Sequence, residues 1–179
     1  RMYPRGINDP DYCSVVNQRH YGSLVGYLEE AVAAGVVVHT LFDGPDRNDE
    51  VHRLAPSVLV DPPSTLDVMR SEIFGPLLPV IGYDTVDQAV AIVNAQPRPL
   101  ALYWFDNDSK RVDQALKQTH VGGVCVNETL MHVAQGELPF GGVGPSGMGH
   151  YHGQWGFDTF SKLTPVFRQS GLNGMNLFM

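Results

Sequence analysis

Apolar residues recur at roughly helical spacing between residues 11 and 34, at Val15, Val16, Leu24, Leu28, Ala31 and Val32, with Gly35 as a stop signal. The pattern predicts one long helix, with Gly22 as the point where it would break. Residues 36–42 are β-branched and apolar and run into Asp43-Gly44-Pro45-Asp46, which is turn chemistry. A short buried strand ends there, and a second covers residues 57–60 before Pro62-Pro63. From residue 77 the rhythm is regular: residues 77–83, 100–105 and 122–127 are apolar runs, and residues 85–94 and 109–119 are amphipathic. That alternation is strand, helix, strand, helix, strand. Asp84 or Thr85, and Asp108 or Ser109, stand where helix N-caps belong. Continuous apolar strands are those that helices cover on both faces, so the expected fold is α/β with a mostly parallel sheet. Beyond Asn127 the chain is glycine-rich to Gly153, aromatic at Trp155, Phe157 and Phe160, and polar at its end.

The composition is that of a globular chain: 179 residues, 43% hydrophobic and 17% charged, enough for one domain or one large piece of one. A net charge of -7 argues against nucleic acid as a partner, because coating phosphates takes clustered Lys and Arg. No apolar run has the length of a bilayer span, and residues 1–8 lack a secretory hydrophobic block, so a cytoplasmic location without a membrane partner is expected. The opening Arg1-Met2-Tyr3-Pro4-Arg5-Gly6 reads as a cut from a longer chain. Cys13 and Cys125 do not form a disulfide framework and are expected to be reduced.

Gly142-Val143-Gly144-Pro145-Ser146-Gly147 matches the dinucleotide pattern G-x-G-x-x-G letter for letter. The pattern binds phosphate only between a strand and a helix N-terminus, and here Pro139 and Pro145 restrict the backbone while no acidic residue follows at ribose distance. A tight surface loop shaping a pocket is the better reading. As nucleophiles the cysteines fare no better. Cys13 lies at the start of a predicted helix but has no glycines or oxyanion arrangement around it, and Cys125 sits inside an apolar strand, where thiols are commonly inert. His120, His132, His150 and His152 are too scattered for a zinc site, so no metal is expected. His150 and His152 flank Tyr151 in the glycine-rich stretch, where an active-site wall and a plain loop hydrogen bond are both open readings. Glu72 and Phe74 stand two apart before a predicted strand, and in an extended segment they share a face. A carboxylate suits a vicinal diol such as a ribose, and a ring packs on a heterocycle; an exposed Glu beside a core Phe is the plainer alternative.

Four elements in order resolve the balance. They are Glu72-Ile73-Phe74-Gly75-Pro76, then Gly122-Gly123-Val124-Cys125-Val126-Asn127, then the run from Leu138-Pro139-Phe140-Gly141 to Gly149, and then Tyr151-His152-Gly153 with Phe157-Asp158-Thr159-Phe160-Ser161. Together they resemble the C-terminal part of aldehyde dehydrogenases over nearly the whole chain, and residues 127–136 are most similar to the coniferyl aldehyde branch. The resemblance implies a partial catalytic domain over residues 1–153, with a substrate-pocket loop at 136–153 and a C-terminal tail at 154–179. It implies NAD or NADP as cofactor, held by Glu72 at the nicotinamide-side ribose with Phe74 packed beside it. It implies a small-molecule aldehyde walled by Phe140, Tyr151 and His152, and a homodimer when the enzyme is intact. In this family a cysteine thiolate attacks the aldehyde and a glutamate activates the hydrolytic water. Both residues lie before the matched region, so no catalytic residue is assigned in this chain, and the remainder of the same enzyme becomes its necessary partner. Pro10-Asp11-Tyr12-Cys13-Ser14 resembles the stretch after the catalytic segment, and Glu128 and Glu137 match no general base. Open sheet edges and an exposed apolar interface are expected in the chain alone. Two rival readings stay open: a non-catalytic binding or assembly module on the same scaffold, and a dehydrogenase that makes acyl-CoA or acyl phosphate.

Overall fold

The computed structural model describes residues 2–168, in two compact units that divide between Tyr83 and Asp84. In the first, α1 (Gln18–Ala33) starts later than the apolar spacing suggests, because Asn17 accepts a hydrogen bond from the His20 N–H at 2.9 Å and caps it. It runs through Gly22 unbroken. Tyr21, Leu24 and Ala31 line its buried face at helical spacing. The strands are β1 (Val37–Thr40), the short pair β2 (Arg47–Asn48) and β3 (Arg53–Leu54), β4 (Ser57–Val60) and β5 (Leu77–Val80). The sheet order is β1-β4-β5, with β1 antiparallel to β4 and β4 parallel to β5. Along β4 burial alternates, Ser57 and Leu59 inward, as a sheet with one packed face requires.

The core of this unit joins Tyr21, Leu24 and Ala31 of α1 to Leu54, Leu59, Leu66, Val68 and Leu77. Burial, and then the 2.6 Å hydrogen bond from its hydroxyl to Asp49, push the Tyr21 phenol up to about 12. The N-terminal segment is stitched on by polar contacts. Arg53 donates to the carbonyls of Ile7 and Asp9 at 2.8 and 2.9 Å, and the Tyr12 hydroxyl donates to the Leu54 carbonyl at 2.6 Å.

The second unit contains α2 (Val86–Ala95), β6 (Ala101–Trp104), α3 (Ser109–Gln118), β7 (Gly123–Val126), α4 (Met131–Ala134) and α5 (Gly153–Phe160). The predicted caps are in place. Thr85 forms a capping box with Gln88, and Asp108 accepts from the N–H groups of Lys110 and Arg111. β6 and β7 pair in parallel. The expected α/β class is therefore observed, with β1 and the β2-β3 pair as its antiparallel parts. The region expected as a tail from residue 154 begins inside α5, and residues 169–179 of it lie outside the described residues. Buried side chains among its described residues are few: Val90, Ala115, Cys125 and His132. Apolar residues lie exposed on both units, among them Leu78, Val80, Phe105, Phe157 and Phe160.

Two measurements test this packing. Leu59→Ala, at a fully buried position of the central strand, is expected to destabilise the first unit by about 2–5 kcal/mol in denaturant melts. In the second unit Arg111 grips Asp106 at 2.6 and 2.8 Å. Those bonds, and then the Asp108 N–H, hold the Asp106 carboxyl at about 2, below its ordinary 3.8. A depressed carboxylate stabilises the fold above the unfolded value and loses that contribution as pH falls from 3.8 towards 2. Arg111→Met is expected to move the Asp106 titration, followed by NMR, up towards 3.8.

Candidate functional site

The segment Glu72-Ile73-Phe74-Gly75-Pro76 enters β5 with its backbone pinned from three sides. Ile73 packs on the core, and the Pro76 carbonyl accepts from Ser57 N–H at 2.9 Å. Gly75 lies so close to α1 that a Cβ there would stand 2.5 Å from a methyl of the fully buried Leu24, which would have to shift to admit it. Phe74 is left-handed, φ +46°, and the extended backbone assumed for the segment is not kept through it. That conformation costs a non-glycine residue about 1–2 kcal/mol. The Phe74 carbonyl accepts from His20 Nε2 at 3.0 Å. Glu72 is exposed, and the Phe74 ring is 81% exposed beside a groove of about 360 Å3 that Val16, His20 and Cys13 also line. Cys13 itself precedes α1 rather than opening it, so it is not at a helix N-terminus.

In the second unit, Phe140, Tyr151 and His152 come together. Phe140 and Tyr151 exchange two backbone hydrogen bonds of 2.9 Å as an isolated antiparallel bridge. The Phe140 ring stacks on His152 at 5.9 Å and 21° and meets Tyr151 edge-on at 5.9 Å. Between them the glycine-rich stretch makes a 3-10 turn, Gly144–Ser146, closed by the Ser146 hydroxyl, which accepts from Val143 N–H at 2.9 Å and donates to Val143 carbonyl at 3.1 Å. No helix opens directly on it; the next, α5, begins at Gly153. A Cβ on Gly142 would strike the Ser146 carbonyl oxygen. A groove of about 510 Å3 runs along this loop, bounded by Phe140, Tyr151, Met148 and Leu100.

Behind the wall stands a pair that residue patterns did not reveal. Cys125 Sγ lies 3.2 Å from His132 Nδ1 and accepts from His132 N–H at 3.2 Å, both residues buried. The His132 ring is 5.7 Å from Phe140 and 6.0 Å from Tyr103, so it backs the aromatic cluster. Its sequence signal is no more than a histidine seven residues beyond a strand cysteine. His150 rests edge-on against Trp155, and its carbonyl accepts from the Thr159 hydroxyl at 3.1 Å. Asn127 is left-handed, φ +56°, and its side chain pairs with both backbone groups of Asp106, joining the ends of β6 and β7. Ligands of open α/β sheets bind at such strand ends. Among the described residues no group of three His, Cys, Asp or Glu could hold a metal ion, and no helix is long and apolar enough to cross a membrane.

The chain belongs to the aldehyde dehydrogenase family, whose sequence model matches residues 5–166. It is 48% identical over 98% of its length to a probable coniferyl aldehyde dehydrogenase of Pseudomonas aeruginosa, covering 36% of that protein. It is 50% identical over 94% of its length to a probable coniferyl aldehyde dehydrogenase of Caulobacter vibrioides, covering 35% of it. Among solved structures, the substrate-bound state of Staphylococcus aureus AldH superposes with a TM-score of 0.76 at 36% identity, over 93% of this chain and 36% of that one. The chain thus spans about a third of the length of the relatives it matches.

Gly142→Ala tests whether the loop geometry depends on that close approach. It is expected to cost roughly 1–3 kcal/mol and to raise amide exchange at Phe140 and Tyr151, measured by NMR.

Proposed function

We propose that the chain is the C-terminal, substrate-side part of an NAD(P)-dependent aldehyde dehydrogenase that oxidises an aromatic aldehyde, of the coniferaldehyde kind, to its acid. The observation that carries the reading is the pinned turn: Glu72 and Phe74 are presented to solvent from a backbone that the core holds in one conformation. An exposed carboxylate has the acceptors for both hydroxyls of a ribose, and an exposed ring has a free face for the neighbouring nicotinamide. The residues present therefore fit the coenzyme. When bound, that coenzyme takes up the two electrons released by the aldehyde carbon.

Glu72 orients the ribose, and Phe74 packs beside it. Phe140, Tyr151 and His152 wall the aldehyde, where a flat ring finds edge and face partners of its own kind. Neither cysteine here supplies the nucleophile: Cys125 is buried against His132, and Cys13 is exposed ahead of α1. The thiolate that forms the thioester, and the glutamate that activates water against it, belong to the rest of the enzyme. That remainder also covers the apolar side chains this chain exposes, and the intact enzyme is a homodimer. Residues 1–153 act as a partial catalytic domain with its pocket loop at 136–153, and residues 154–179 as the tail. The names of the relatives support the substrate class, since the first two are called coniferyl aldehyde dehydrogenases.

The test uses the intact polypeptide with coniferaldehyde and NAD or NADP. It is expected to form reduced coenzyme, while this chain alone forms none. Glu72→Gln is expected to raise the coenzyme KM about tenfold, the scale of one hydrogen bond to a charged group. Turnover that demands CoA or phosphate would replace the acid-forming reading, and an unchanged coenzyme KM in Glu72→Gln would remove Glu72 from the site.

A further inference from the structure

Phe74 needs an explanation that composition does not supply. A phenylalanine at φ +46° has no side-chain device for the left-handed region, unlike Asn or Asp, so its surroundings must impose the conformation. The core fixes its neighbours: Gly75 is wedged on Leu24, and Ile73 is packed. At Phe74 itself the bond in place is the one its carbonyl receives from His20 Nε2 at 3.0 Å. A carbonyl oxygen only accepts, so the imidazole donates, and Nε2 carries the proton.

His20 is well placed for this. Its backbone N–H is held by the Asn17 cap at 2.9 Å, which fixes the first turn of α1. Leu24, one helical turn later, presses on Gly75 from the same face. The two residues thus hold consecutive peptides of the turn, Leu24 by shape and His20 by a hydrogen bond. His20 and Phe74 also line the same groove, so the bond lies where the proposed nicotinamide half of the coenzyme would approach.

We infer that His20 is a positioning residue for the coenzyme: by donating to the Phe74 carbonyl it sets the turn that presents Glu72 and Phe74 to the ribose and nicotinamide. The inference rests on the reading of Glu72 and Phe74 given above, and its test separates the two. In the intact enzyme, His20→Phe keeps a ring of similar size and removes the donor, whereas His20→Gln keeps an N–H that can reach the carbonyl. His20→Phe is expected to raise the KM for NAD or NADP roughly fivefold, the scale of one neutral hydrogen bond, with the aldehyde KM and the melting temperature little changed. His20→Gln is expected to stay within about twofold of the parent. Glu72→Gln is measured beside them. If it raises the coenzyme KM while His20→Phe leaves it unchanged, or if His20→Phe and His20→Gln are equally impaired, the positioning role is overturned and the cofactor reading stands. If Glu72→Gln changes nothing, the cofactor reading itself fails. Should His20→Phe not fold, His20→Ala gives the same comparison, and a coenzyme KM raised fivefold in His20→Gln overturns the inference without either.

Discussion

The contact between the Leu24 side chain and the bare Cα of Gly75 couples the core of the first unit to its candidate site. Leu24 is fully buried in the cluster that joins α1 to β4 and β5, and it occupies the space a Cβ on Gly75 would need. Interiors packed at crystal density transmit small displacements instead of absorbing them. The position of the Glu72–Phe74 turn is therefore set by the hydrophobic packing of the unit, and site and core are one mechanical object.

The second unit holds its site by other means. Its buried set is small, and its pocket wall is organised by a two-bond backbone bridge, a ring cluster and the Asn127 side chain closing on Asp106. Directional contacts of this kind fix orientation well but bury little apolar area, and burial is the dominant favourable term in folding. The exposed Phe157, Phe160 and Leu163 are the complement of that deficit.

The regular half of this architecture was legible from residue patterns, and the reason is local. Thr85 with Gln88, Asp108 with the N–H groups after it, and the apolar runs of β5, β6 and β7 each act within a few residues. Misplaced boundaries arose where a distant partner decides. Residues 11–17 carry apolar spacing but are tied to residues 52–54, as in the bond from Val15 N–H to the His52 carbonyl, so the helix waits for the Asn17 cap. The β2-β3 pair is two residues long per strand and α4 is one turn, both too short for a period to show. The candidates Glu72, Phe74, Phe140, Tyr151 and His152 come from motif order, while the His20–Phe74 bond and the Cys125–His132 contact come from the fold alone. Their partners lie 54 and 7 positions apart, and nothing in either residue type announces the match.

The backbone strain shows what such partners are for. Phe74, Asn127, Leu130 and His152 all have positive φ, and all four lie in or beside the two candidate segments. Of these, Asn127 and His152 are residue types found at positive φ more often than most, and Asn127 uses its amide on Asp106 at the same time. Phe74 and Leu130 carry bulky side chains into a conformation that contact between Cβ and the backbone disfavours, and such residues persist only where their surroundings over-determine them. His52 and Asp61 have positive φ outside these segments, so the feature alone does not mark a site. Phe74 combines positive φ with a ring 81% exposed, and His152 combines it with a ring stacked on Phe140. A relaxed extended backbone would return each side chain to the alternating pleat, so a left-handed residue is the means by which the chain breaks that alternation and aims a group elsewhere.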